Sequence, residues 1–197
     1  MYSKERLESQ LSEIAQLISV KYTDHDDNLG VLAGISGAAL FQFYYSKYTG
    51  SEHNADIGAE IIAHCIEKIK TKLQPELVYT HSGADLNIDH RVVSNAVLTV
   101  FRPEPNEKCK ELRLFEVASA TDYGNHAVTG SFAPNLFVNI SQEWPSKLKA
   151  LEAYSSEMRN YPHSRSIKGI ENLAKLRGNQ IGYELAEAFE VLRKIEP

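Results

Sequence analysis

Imidazoles and carboxylates concentrate in one stretch, Tyr79-Thr80-His81-Ser82-Gly83-Ala84-Asp85-Leu86-Asn87-Ile88-Asp89-His90-Arg91, directly after the apolar residues Leu77 and Val78. A neutral imidazole can hold a metal ion through one ring nitrogen while a carboxylate orients the other. For His90 that carboxylate could be Asp85 or Asp89. The same residues also admit a plain structural role, with both aspartates capping a helix and His90 an ordinary surface histidine.

Elements of defined length must bring these groups together. Residues 76–80 are short, β-branched or aromatic and follow Pro75, which favours a strand. Spacing then turns helical, giving a helix over 91–101, so Asp89 and His90 fall where strand, loop and helix meet. Open α/β folds place their chemistry at such strand ends. Further strands are expected over 112–119 and 135–140, and helices over 143–158, 166–177 and 181–194. Trp144 and Pro145 read as a helix start. His126, between Gly124 and Gly130, reads as a solvent-facing loop histidine.

The N-terminal third reads differently. Leu7, Leu11, Ile14, Ala15 and Ile18 recur at three- and four-residue intervals, an amphipathic helix over 5–20. Residues 29–50 begin with small residues and become strongly apolar before Thr49-Gly50-Ser51 stops the helix. Ile57, Ile61, Ile62, Cys65, Ile66 and Ile69 form one side of another helix over 55–70. Gly30, Gly34 and Gly37 follow no convincing strand, so they are assigned to packing rather than to phosphate binding.

The 79–91 stretch resembles the second signature of the PIG-L/LmbE family of zinc-dependent deacetylases. Similar segments follow in family order: Leu98-Thr99-Val100-Phe101-Arg102-Pro103, Phe115-Glu116-Val117-Ala118-Ser119, Phe132-Ala133-Pro134-Asn135-Leu136-Phe137, Tyr161-Pro162-His163-Ser164-Arg165-Ser166 and Leu176-Arg177-Gly178-Asn179-Gln180-Ile181-Gly182-Tyr183. The resemblance spans about 73–195. It implies hydrolysis of an N-acetyl group on a sugar-like substrate, with zinc polarising the carbonyl and acidifying its bound water. His90 would be the metal ligand; Asp89, Asn87 and His163 would be the catalytic candidates. Asn87 stands where many members carry another histidine.

The family's first signature, His-Pro-Asp-Asp-Glu, supplies a His and an Asp ligand and the general base, and the sequence does not contain it. Its nearest counterpart, Asp24-His25-Asp26-Asp27-Asn28, lacks the proline and ends in an amide. Zinc is therefore expected to bind weakly or not at all, and the chain to be inactive. Residues 29–70, through Gly34-Ile35-Ser36-Gly37-Ala38-Ala39-Leu40-Phe41 and Tyr44-Tyr45-Ser46-Lys47-Tyr48-Thr49-Gly50, are similar to the first helical pair of LanC-like proteins. That family's zinc-binding residues belong to later repeats that do not occur here, so no cyclase activity is transferred.

The expected fold is thus α/β: a partial Rossmann-like deacetylase layer over 71–197 behind an all-α segment over 1–70, a composite of two resemblances. A formal charge of -5 argues against nonspecific nucleic-acid binding. No apolar run is long enough to span a bilayer, and Cys65 and Cys109 are isolated, which makes the cytoplasm the default location. An open sheet edge where the family's opening strands are missing makes a homo-oligomer the expected assembly.

Overall fold

A computed structural model describes residues 3–21, 29 and 35–196. Its secondary structure is mixed α/β, as the sequence periodicities predict. The counterpart segment 24–28, as well as Gly30 and Gly34, lies outside the described residues.

The chain forms two compact units, one comprising 1–75 with 95–106 and the other 76–94 with 107–197. In the first, α1 (Lys4–Lys21), α2 (Ile35–Thr49) and α3 (Glu52–Leu73) are the helices expected from their apolar spacing. Residues 17–20 belong to α1 and not to a strand. Gly50, at φ 72°, makes the left-handed turn between α2 and α3, a conformation a side chain would oppose. Ile35, Ala38, Ala39, Ile61 and Cys65 form the buried centre of this unit. One polar group sits among them: Gln42, fully buried, donates through Nε2 to Ala15 O at 2.9 Å and accepts from Asn54 Nδ2 at 2.7 Å. Both ends of the amide are thereby satisfied, which ties α2 to its two neighbours.

The second unit is built on a four-stranded sheet of order β1-β2-β4-β3, with β1 (Leu77–His81), β2 (Glu111–Phe115), β3 (Leu136–Asn139) and β4 (Ala186–Lys194). β1 and β2 are parallel; β4 runs antiparallel to both β2 and β3. The parallel pair needs a crossover, whose helix is α4 (Ile88–Val100). Its first seven residues belong to this unit and the remainder to the other. The short α5 (His126–Thr129) follows β2, α6 (Trp144–Ala153) follows β3, and α7 (Ile167–Asn179) leads to β4. Pro145 occupies the first turn of α6, as the sequence predicts. Ser166 caps α7, its hydroxyl accepting from Gly169 N at 2.9 Å.

One element differs in kind. The helix expected over 181–194 is the strand β4, lying between β2 and β3. Glu187, Glu190, Leu192, Arg193 and Lys194 are good helix formers, and Leu185, Ala188 and Val191 recur at helical spacing. The alternative period of two is nevertheless present, since Ala186 and Ala188 are buried on one face while Phe189 and Val191 meet Phe115 and Arg113 on the other. Two flanking strands satisfy the backbone of β4 on both edges, which outweighs local preference. Gly182, at φ 77°, and the bond from Tyr183 N to Gly178 O separate this segment from α7. The strand expected over 112–119 also stops early, at Phe115, because 117–121 turn back on themselves through bonds from Ala120 N and Thr121 N to Val117 O.

Candidate functional site

Residues His81 to His90 leave the C-terminal end of β1 and enter α4 through a loop in which Asp85 bonds several groups, beside the bonds from Ser82 N to Phe115 O and from Leu86 N to Ala120 O. The Asp85 carboxylate is fully buried. Oδ1 accepts from Asn87 N at 2.8 Å, and Oδ2 meets His90 Nδ1 at 2.9 Å and Thr121 Oγ1 at 3.2 Å. Burying a carboxylate is costly unless its lone pairs are engaged in this way. The Arg91 guanidinium adds bonds to the carbonyls of Asp85 and Leu86, at 2.8 and 2.6 Å. Of the two aspartates able to orient His90, the structure therefore selects Asp85. Asp89 is exposed in the first turn of α4, where a carboxylate complements the helix dipole.

With Nδ1 turned to Asp85, the remaining nitrogen of His90, Nε2, is free of that bond and carries whatever chemistry the imidazole performs. The carboxylate favours the proton on Nδ1, which leaves Nε2 as a lone-pair donor to a proton or a metal ion. His81 packs against His90 with ring centroids 4.2 Å apart and planes 23° apart, and its other side meets Phe115 at 4.7 Å. Burial, followed by the proximity of His90, lowers the pKa of His81 and favours its neutral form, against the opposite pull of Asp85 and Asp89. Its Nδ1 is buried without a hydrogen-bond partner among the described residues.

His163 does not join this cluster through any bond among the described residues. Its Nδ1 accepts from Arg165 N at 3.0 Å, and its ring lies edge-on to Tyr123 at 6.2 Å. The segment after β2 touches both places: Thr121 bonds Asp85, whereas Ser119 accepts from Arg165 Nε at 3.0 Å. Asn87 contributes its backbone N–H to Asp85 and directly precedes α4. His126 lies exposed at the start of α5, as expected for a loop histidine.

Spacing in the sequence singles out neither His81 nor Thr121. His81 had a legible signal, the final residue of a strand that empties into the cluster. Thr121 had none, since 36 residues separate it from Asp85.

A catalytic zinc site takes three protein ligands in converging directions. Among the described residues, no group of three His, Cys, Asp or Glu side chains could hold a metal ion. His81 does not supply a second ligand as placed: imidazole lone pairs lie in the ring plane, and two rings stacked nearly parallel do not point at one ion about 2.0–2.1 Å from each. The described residues thus do not fit a zinc shell.

The sequence matches no protein-family profile and no curated protein. Among solved structures, the chain is similar to N,N'-diacetylchitobiose deacetylase from Pyrococcus horikoshii, complexed with its inhibitor MPG. The TM-score is 0.49 at 17% identity, covering 93% of this chain and 78% of that one. A likeness of that size assigns no role to any residue here. No helix among the described residues is long and apolar enough to cross a membrane.

Proposed function

We propose that this chain is a relative of the PIG-L/LmbE deacetylases that retains one oriented imidazole of the metal site and does not hydrolyse N-acetyl sugars as it stands. The observation that supports this is the Asp85–His90 pair at 2.9 Å, with Asp85 fully buried, at the junction where the family resemblance places its second signature. The missing His-Pro-Asp-Asp-Glu signature supports the second half of the reading, because two ligands and the general base belong to it. In this reading His90 is a solitary zinc ligand of low affinity, Asp89, Asn87 and His163 border the site without completing it, and an N-acetylated sugar is the ligand class it descends from. The protein then serves as a non-catalytic α/β scaffold in the cytoplasm, and the LanC-like helices over 29–70 carry no cyclase chemistry.

The test compares wild type with His90→Ala for bound zinc and for acetate release from N-acetylglucosamine-type substrates with added zinc. Sub-stoichiometric zinc and no turnover in either protein are expected. Stoichiometric zinc and turnover in the wild type, both lost in His90→Ala, would overturn the inactive reading.

A further inference from the structure

The second unit contains a cavity of about 450 Å³ that the reading above does not use. Leu151, Met158, Ile170 and Leu173 contribute apolar walls, and residues 186–189 of β4 line it as well. That volume lies within the range of small-molecule sites, about 300–1,000 Å³.

The charges around it decide what it can hold. Three cations line it, and each already has a carboxylate. Arg177 grips Glu116 with two bonds, Nε to Oε1 at 2.8 Å and Nη2 to Oε2 at 2.7 Å, both side chains being about 15% exposed. Lys147 pairs with Glu187 at 2.5 Å, and Arg165 with Glu157 at 3.3 Å as well as with Ser119. The set sums to zero. At Arg177–Glu116 a charged ligand would have to break a largely buried pair and leave one charge uncompensated, whereas Glu157 and Glu187, 62% and 38% exposed, keep the other two pairs in contact with solvent. A neutral ligand keeps all three pairs and exchanges water for apolar wall.

We propose that this cavity binds a neutral, predominantly apolar small molecule. The site goes beyond the metal half-site and stands without any metal, yet it adjoins that half-site: Phe115 lines the cavity and packs on His81 at 4.7 Å. Occupancy is therefore felt at the His81 ring.

The experiment titrates the full chain with the neutral fluorophore 1-N-phenylnaphthylamine and with the anionic 1-anilinonaphthalene-8-sulfonate, while following the His81 imidazole signals by NMR. Saturable one-to-one binding of the neutral probe is expected, at least about tenfold tighter than the anionic one, with a shift of the His81 signals. Leu151→Trp and Leu173→Trp each fill the cavity from a different helix and should each weaken binding about tenfold or more while circular dichroism stays native. Should one variant fail to fold, the other decides. Absence of saturable binding, equal binding by a folded filled variant, an unmoved His81 signal, or preference for the anionic probe would each overturn the proposal.

Discussion

Thr121 Oγ1 donates to the buried carboxylate of Asp85 at 3.2 Å, and the same hydroxyl accepts from Val117 N at 2.8 Å. One threonine therefore fastens the loop after β2 to the residue that orients His90. The pairing makes Asp85 the structural centre of the site, and it separates Asp85 from Asp89, which the sequence leaves equivalent.

Replacing Asp85 by Ala removes the acceptor of three groups and leaves them inside the protein. We expect a loss of about 3–5 kcal/mol in urea unfolding, since breaking one side of a buried charged network costs about that much, with Asp85→Asn milder. Asp89→Asn, on the exposed first turn of α4, should change stability by less than about 0.5 kcal/mol. Equal effects at the two positions would refute this assignment of roles.

The glycines flanking the site make a second contrast. A Cβ on Gly124 would lie 2.3 Å from Ala84 O, a backbone atom of the loop that carries Asp85, whereas one on Gly83 meets nothing within 4 Å. Gly124→Ala should destabilise by about 1–3 kcal/mol and shift the His90 NMR signals. Gly83→Ala should leave both nearly unchanged, and thermal unfolding with NMR of the two variants checks the pair.

In the helical unit, Gln42→Leu keeps the volume but leaves Asn54 Nδ2 without the partner it has at 2.7 Å. A cost of about 1–3 kcal/mol follows from an unsatisfied donor. Denaturant titration of Gln42→Leu beside Gln42→Leu/Asn54→Ala checks the cause, because the double variant removes the stranded donor and should recover part of the loss.

Burial pushes the Cys109 thiol above its ordinary range, with the Arg193 charge acting in the opposite direction. A raised folded-state pKa means that the thiol's contribution to stability is present below the unfolded value, about 8.5, and is lost as pH rises through the folded one. Alkylation of Cys109 by iodoacetamide at pH 8 should therefore be slow in native protein and fast in urea, as mass spectrometry of the tryptic peptide would report. Rapid native labelling would contradict the burial.

β1 is an end strand of the sheet, and Leu77 and Tyr79 on it are 39% and 45% exposed. We expect a concentration-dependent rise in mass by sedimentation, reversed by Tyr79→Lys, since charged side chains oppose strand-edge pairing. A constant monomer mass from micromolar to millimolar concentration would exclude it.

Periodicity in the sequence determined α1, α3, β1 and the entry into α4, because each is specified by apolar residues a few positions apart and by the turn residues that end them. The sequence also set two carboxylates, Asp85 and Asp89, within five residues of His90. Only the tertiary structure decided which carboxylate: Asp85 is chosen by Thr121, far along the chain, and by the burial that requires all its lone pairs to be used. The fate of 186–194 was settled in the same way. Its alanines, glutamates and leucine favour a helix in isolation, yet the hydrogen bonds offered by β2 and β3 on either side, which no local pattern encodes, make it the strand that joins them.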